Sequence, residues 1–133
     1  MTWKFLGKYR DEGLLLLRLG IGFMFVLHGG FKLLDGPERW EALGQAMRHF
    51  GVRHWPLAWG LAASVVEFLG GLLYILGVAF RPASLALLLV MIVAATVQFH
   101  KGGVMAAAHA IEVGVLFAAL LFVGPGRYSL DRG

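Results

Sequence analysis

The sequence predicts an all-α integral membrane protein, a four-helix up-down bundle with an amphipathic surface helix between spans 1 and 2. Hydrophobic residues make up 59% of the 133-residue chain and charged residues only 15%. With a mean hydropathy of +0.74, the chain is too apolar for a soluble domain of average composition. Its apolar residues gather into four segments, each near the ~20 residues that cross ~30 Å of hydrocarbon. Two links between the segments are short, which makes neighbouring helices antiparallel.

The four predicted spans form a single membrane domain over residues 1–133. Pro56 ends any helical segment that precedes the second span. Pro82 stands at the first helical position of the third span, where its missing amide donor does no harm. The breaker Gly124-Pro125-Gly126 ends the fourth span. The predicted spans cover about 14–34, 57–79, 82–99 and 104–123.

The first span is expected to be retained rather than removed as a signal peptide. Lys4, Lys8 and Arg10 precede an apolar run, as they would in a signal peptide. Arg18 interrupts that run, however, and no small-x-small cleavage site follows it before the bulky Phe31.

The connection between spans 1 and 2 has a helical pattern of its own over about 37–50. Asp35-Gly36-Pro37 is a helix start signal. After it, apolar residues recur at spacings of three and four, and charged or polar residues fill the other face, which indicates an amphipathic helix at the membrane surface or against the bundle. The apolar stripe consists of Trp40, Leu43, Met47 and Phe50.

The distribution of basic residues predicts the orientation in the membrane. More of them lie on the side of the termini than on the other side, which places both termini in the cytoplasm. The terminal side carries Lys4, Lys8, Arg10, Arg81, Arg127 and Arg132, and the other side carries Arg39, Arg48, Arg53 and Lys101.

Composition and missing motifs exclude several classes of function. The chain has no cysteine, which excludes dithiol relays, iron–sulfur ligation and disulfides within it. The net charge of +4 arises mostly outside the spans and therefore does not indicate nucleic-acid binding. The sequence contains no phosphate-binding loop, nucleotide fingerprint, metal-spaced histidine pair or nucleophile elbow.

Ionisable residues inside the spans are the informative feature. Each costs at least ~2.5 kcal/mol near a helix centre if it is charged and unpaired, so each needs a partner or water. Arg18, Lys32, Glu67 and Glu112 balance one another in charge, which predicts an inward-facing polar core. The candidates for ligand binding or proton handling are His28, Lys32, Glu67, His109 and Glu112, and the supporting residues are Arg18, Ser64, Tyr74 and Gln98.

Helical geometry places these residues on shared faces. Arg18, His28 and Lys32 fall within an ~80° arc of span 1, and His109 lies one turn from Glu112 in span 4. In span 2, one stripe consists of Gly60, Ser64, Glu67, Gly71 and Tyr74. Because every histidine falls on or toward the non-terminal half, we expect a polar pocket that opens toward the surface helix.

A structural interpretation stands beside the pocket. The same residues can form ion pairs and hydrogen bonds that only fix the register of the helices, and Arg18 and Lys32 can extend to the two interfaces. His49 and His54 are expected to be solvated loop residues. His100 and Lys101 are expected to anchor the chain at the interface.

Several stretches follow one another in an order that resembles the DoxX family of small four-span bacterial membrane proteins. They are RLGIGFMFVLHGGFKL at 18–33, EFLGGLLYILGVAFRPA at 67–83, residues 91–95, Glu112, and GPGRYSLD at 124–131. The resemblance implies an inner-membrane four-helix protein. Some family members look like membrane subunits of oxidoreductase systems, including thiosulfate:quinone oxidoreduction, but this does not imply thiosulfate as a substrate here.

The resemblance also implies which residues form the site. The polar positions of the family correspond to His28, Lys32 and Glu67, with Arg18 and Glu112 as further candidates. His109 is predicted on geometry alone.

Three functions remain open at the level of sequence. The first is a non-autonomous oxidoreductase subunit that binds a quinone or another small molecule and works with a soluble or membrane redox partner. The second is a proton relay or small-molecule transporter, and the third is a structural or assembly subunit. Haem held by His28 and His109 is a less favoured variant of the first, because two histidines at matched depth easily coincide. Association between copies of the chain is left open.

Overall fold

The computed structural model describes residues 3–131, and this part of the chain is helical with no strand. A 3-10 helix over Lys4–Tyr9 leads into α1, and a second 3-10 helix over Gln45–Phe50 follows α2. The α-helices are α1 (Arg10–Asp35), α2 (Pro37–Gly44), α3 (Pro56–Leu76) and α4 (Phe80–Val123).

Three helical stretches are long and apolar enough to cross a membrane: Lys4–Asp35, Pro56–Leu76 and Phe80–Val123. The predicted all-α class with long apolar helices is thus confirmed. The third stretch is unusual because its 44 residues would extend ~66 Å if straight, about twice the thickness of the hydrocarbon layer.

Helix α4 is not straight, because its backbone leaves helical geometry at two glycines. Gly102 has φ −153° and ψ 16°, and Gly103 has φ 79° and ψ −162°. A φ near +80° is strained for any residue with a Cβ atom, so the kink depends on glycine at position 103. The kink divides α4 into a first half, 80–101, and a second half, 104–123.

The two halves of α4 lie against each other and run in opposite directions. Nε of Arg81, near the start of the first half, donates a hydrogen bond to the carbonyl of Leu121 at 3.0 Å. Further along, a Cβ atom added at Gly114 would lie 3.5 Å from Cβ of Met91. The predicted link after residue 99 is therefore a kink within helical backbone.

Helices α1 and α3 approach so closely that their backbones touch. A Cβ atom at Gly22 would lie 2.7 Å from the carbonyl oxygen of Gly71. Two helical turns after Gly22, a Cβ atom at Gly29 would lie 2.8 Å from Cα of Phe68. Small residues are what let membrane helices pack at this distance.

The short helix α2 packs onto the start of α3 in the same way. A Cβ atom at Gly60 would collide with the carbonyl of Trp40, and one at Gly44 with the carbonyl of Pro56. The indole of Trp40 donates to the carbonyl of Lys32 at 3.0 Å, which ties α2 to the end of α1. The pattern predicted as one helix over 37–50 is thus an α-helix followed by a tighter 3-10 helix.

The core contains an aromatic cluster between α1, α3 and both halves of α4. Tyr74 stacks on Phe80 with ring centroids 4.5 Å apart and meets Phe117 edge-on at 5.6 Å. Phe25 reaches Phe117 edge-on at 5.2 Å. Edge-on and offset rings are the favoured arrangements of aromatic pairs, so this cluster holds the second half of α4 against α1 and α3.

The segment after α4 returns to the beginning of the chain. The carboxylate of Asp131 accepts hydrogen bonds from the backbone amides of Ala79 at 2.9 Å and Phe80 at 2.7 Å, which caps the N-terminus of α4. The amide of Arg127 donates to the carboxylate of Asp11 at 3.0 Å. The start of α1 and residues 127–131 therefore lie at the same end of the molecule.

The close contact of α1 with α3 predicts opposite effects for two adjacent glycines. Gly29→Ala inserts a methyl group against the backbone of Phe68 and is expected to lower the free energy of unfolding by about 1–3 kcal/mol. Gly30→Ala meets only the ring of Phe68 at 3.6 Å and is expected to be neutral or stabilising, by up to ~1 kcal/mol, because alanine favours helix. Thermal unfolding in detergent measures both, and equal losses would contradict the backbone contact.

Candidate functional site

A bidentate ion pair between α1 and α3 forms the centre of the candidate site. Nζ of Lys32 lies 3.0 Å from Oε1 and 2.8 Å from Oε2 of Glu67. Glu67 is only 3% exposed, whereas the side chain of Lys32 keeps 25% of its surface exposed. A buried carboxylate is thus held by a lysine whose side chain remains partly exposed.

The local sequence explains why these two side chains meet. Gly29 packs against the backbone of Phe68, the residue next to Glu67. Lys32 lies almost one turn further along α1, on the buried side of that helix. The glycine contact brings the two helices so close that the long lysine side chain covers the carboxylate.

The predicted stripe of α3 is buried, but its hydroxyl groups do not turn toward Glu67. The hydroxyl of Ser64 donates to the carbonyl of Gly60 at 2.9 Å. The hydroxyl of Tyr74 pairs with that of Ser84, which in turn donates to the carbonyl of Phe80 at 2.9 Å. Both supporting hydroxyls therefore have structural partners, and Ser84 is a buried polar residue that the sequence did not single out.

Arg18 lies elsewhere than predicted, because it neither lines a pocket with Lys32 nor extends to the interface. It is 1% exposed and donates to the carbonyls of Tyr74 at 3.0 Å and Ile75 at 3.1 Å. It also donates to Tyr128 at 2.9 Å and Pro125 at 3.4 Å. Carbonyls at a helix C-terminus lack intrahelical donors, so the guanidinium group satisfies the end of α3 and binds the returning segment.

The predicted inward-facing polar core is wrong for four other residues, whose side chains are exposed. His28 is exposed and meets only the ring of Phe25, edge-on, at 5.9 Å. Within residues 3–131, no hydrogen bond or ion pair involves the side chains of the remaining three, so the expected charge balance around Glu112 is absent. These three are Gln98, His109 and Glu112.

Helical phase explains this exposure. The buried residues of the second half of α4 follow one stripe, and on a helix of ~3.6 residues per turn Glu112 falls on the side opposite to it. His109 lies at the edge of the exposed side. The buried stripe consists of Ala107, Ala110, Gly114, Phe117 and Leu120.

One histidine pair in the structure was not predicted. The rings of His49 and His100 are stacked with centroids 4.4 Å apart and an interplanar angle of 6°. Both were expected to act independently, His49 in a loop and His100 as an anchor, and no local pattern indicates a contact between positions so far apart. The stacking joins the 3-10 helix after α2 to the region of the α4 kink.

The N–H donors of Lys32 indicate what kind of molecule the site could bind. An ammonium group has three N–H donors, and two of those on Lys32 are taken by Glu67. The third is left for an acceptor that approaches from the exposed side, where His28 stands one turn away on α1. No three histidine or acidic side chains among residues 3–131 cluster closely enough to hold a metal ion, and the donor set suits the carbonyl oxygens of a small molecule.

Comparisons with known proteins place the sequence among relatives. The family model of DoxX matches residues 13–101, which is more than half of the chain. An uncharacterized protein of Haemophilus influenzae is 31% identical over 139 residues, covering 96% of this chain and 94% of that protein. No solved structure matches significantly. The family match includes Lys32 and Glu67 but ends before His109 and Glu112.

The ion pair predicts that removing Lys32 alone lowers the free energy of unfolding more than removing Lys32 and Glu67 together. Lys32→Met leaves the buried carboxylate of Glu67 without its partner and is expected to cost about 3 kcal/mol of unfolding free energy. Adding Glu67→Leu removes the uncompensated charge and should recover most of that loss. Thermal unfolding of the single and double variants measures this coupling, and strictly additive losses would contradict it.

The contacts of Arg18 predict a structural role at the end of α3. Arg18→Gln removes charged donors from buried carbonyls and is expected to cost at least about 2 kcal/mol of unfolding free energy. Arg39→Gln, which breaks an exposed pair with Asp35, is the control and should change stability by less than ~0.5 kcal/mol. A loss for Arg18→Gln no larger than the control would refute the role at the end of α3.

Proposed function

This chain belongs to the DoxX family, and on that premise we propose that it is a membrane subunit of an oxidoreductase system that binds a quinone or a similar small carbonyl compound. The proposed site consists of His28, Lys32 and Glu67. A soluble or membrane redox partner would supply the electrons, because the chain has no cysteine and hence no thiol of its own for electron transfer.

The main support for this proposal is the Lys32–Glu67 ion pair, in which the carboxylate is buried and the lysine side chain is partly exposed. Glu67 is buried at 3% exposure, and Lys32 holds both of its oxygens while remaining partly exposed. Intramembrane ionisable residues are functional by default, since they are costly to retain. Because the lysine side chain that covers the buried carboxylate is partly exposed, a small molecule that approaches from that side can reach the pair.

The residues have distinct parts in this proposal. A bound quinone would accept two electrons from the redox partner and two protons, one through His28 and one from water at its other oxygen. Lys32 donates its remaining N–H to a carbonyl oxygen of the bound molecule and stabilises negative charge that develops there. Glu67 keeps the ammonium group charged and oriented. His28 delivers a proton to the same oxygen as a general acid, since imidazole exchanges protons near neutral pH.

A proton relay across the membrane is a weaker candidate on the same geometry. A relay needs a continuous chain of groups that accept and donate protons. Beyond Glu67, however, the hydroxyl of Ser64 is bonded to Gly60, and within the described residues no hydrogen bond leads from the carboxylate to any group other than Lys32. The contacts therefore favour binding over transfer across the bilayer.

We extend the proposal to the membrane topology. The two antiparallel halves of α4 would act as the third and fourth spans of an up-down bundle in the bacterial inner membrane. Their reversal at Gly102 and Gly103 and the contact of Arg81 with Leu121 support this. The contact of Asp11 with Arg127 supports both termini on one side, and the basic residues there favour the cytoplasm.

The proposal is tested by thermal stabilisation of the detergent-purified protein with a water-soluble short-chain quinone. The parent should show a saturable rise in its unfolding temperature, because a ligand bound only to the folded state stabilises it. Glu67→Gln, which keeps the shape of the side chain and removes its charge, should reduce that rise to background. Asp35→Asn, which breaks the exposed pair with Arg39, is the matched control.

The ligand responses of the three proteins distinguish a ligand-binding pair from a structural one. Loss of ligand response in Glu67→Gln with a normal response in Asp35→Asn supports the site. An equal response in all three proteins rejects it. If no quinone stabilises the parent and Glu67→Gln lowers stability alone, the pair is structural.

A further inference from the structure

An open groove runs between α1 and the second half of α4. In the described part of the chain, no Cα atom of α1 comes within 8 Å of a Cα atom of α4, although Phe25 and Phe117 touch between them. The groove has a volume of about 560 Å³. It is lined by Gly13, Leu16, Leu17, Gly20, Ile21, Met24 and Leu116.

Two glycines in this groove are not required by any packing contact within the described chain. A Cβ atom at Gly13 or Gly20 would meet nothing within 4 Å, whereas Gly22 and Gly29 on the same helix are needed for the contact with α3. Glycine within a helix costs about 1 kcal/mol relative to alanine. Glycine in a membrane helix commonly marks the close approach of another helix, and none of the described helices fills this place.

The α4 wall of the groove carries unpaired ionisable groups. Leu116 lines the groove, and Glu112 and His109 lie four and seven residues before it, which continues the same edge of the helix. Both are exposed, and neither has a hydrogen-bonding or ionic partner in the described chain. Glu112 lies near the middle of the stretch 104–123, so in a membrane its carboxyl group would face hydrocarbon unless something covers it.

We propose that a second copy of this chain occupies the groove and pairs its second half of α4 with that of the first copy. Glu112 of each copy contacts His109 of the other, so two carboxylate–imidazole pairs form about one twofold axis. The small residues Gly13 and Gly20 on α1 admit the approaching helix.

Charge and symmetry favour this occupant over a lipid chain. A twofold axis along the membrane normal keeps each residue at its own depth, and an isologous interface brings a patch against itself. The edge with Glu112 and His109 is complementary to itself because the acid and the base stand one turn apart. A lipid tail would fill the apolar groove and leave the carboxyl group unpaired.

Disulfide crosslinking tests this cleanly, because the natural chain contains no cysteine. Met105→Cys and Ala119→Cys place single thiols two turns before and after Glu112 on its own side of the helix. Leu69→Cys and Leu89→Cys are matched controls, since these leucines are 49% and 55% exposed on α3 and on the first half of α4. Oxidation in native membranes should crosslink the first two variants into dimers and leave the controls largely monomeric.

Charge variants then identify the pair. Glu112→Gln in the Ala119→Cys background is expected to reduce crosslinking by about fivefold to tenfold, because both carboxylate–imidazole pairs of the dimer are lost. Glu41→Gln, at an exposed carboxylate of α2, should leave it unchanged. Exchanging the two residues, Glu112→His with His109→Glu, should restore crosslinking because the patch again complements itself.

Several results would overturn the proposal. Crosslinking at Met105→Cys and Ala119→Cys no stronger than at the controls would indicate random collision. An undiminished dimer in Glu112→Gln would remove the charge pair from the interface. Native mass spectrometry showing only monomers, with a lipid or a tailed small molecule retained, would assign the groove to that occupant instead.

Discussion

The backbone contact between α1 and α3 is the constraint on which the rest of the structure depends. Glycines at 22, 29 and 71 remove the side chains that would otherwise separate the two helices. At one end, this closeness lets Lys32 reach both oxygens of Glu67. At the other, it lets Arg18 reach the carbonyls that close α3. A wider spacing would leave a buried carboxylate and a buried guanidinium group without partners, which the membrane interior would penalise heavily.

The chain handles its intramembrane charges in three different ways. Glu67 is neutralised by an opposite charge, and Arg18 is solvated by backbone carbonyls that replace water. Glu112 has no partner within the described residues and faces outward. The first two charges are satisfied by contacts within the fold, whereas the third is left for the proposed contact with a second copy. The two proposed sites therefore lie in different places: the ligand site lies between α1 and α3, and the interface with a second copy lies between α1 and α4.

The candidate site could be predicted from sequence only in part. Lys32 and Glu67 were identified because charged residues inside apolar spans are rare and need partners. Helical phase placed Glu67 on a buried stripe with Ser64 and Tyr74, and the structure has all three buried. The same reasoning failed for His109 and Glu112, because a shared face shows which residues lie together but not whether that face turns toward the bundle. The small residues of α4, Ala107, Ala110 and Gly114, were the signal that could have located the buried side.

The sequence by itself determined the helical class, the long apolar helices and the family, because hydropathy and local motifs are properties of neighbouring residues. It also predicted a short link between the spans at 82–99 and 104–123, and the structure has the kink at Gly102 and Gly103 within that link. Only the tertiary structure decided that Arg18 closes α3, that Asp131 caps α4 and that His49 stacks on His100. Each of these contacts joins positions distant in the chain, and their distances depend on how the helices pack, which no local pattern encodes.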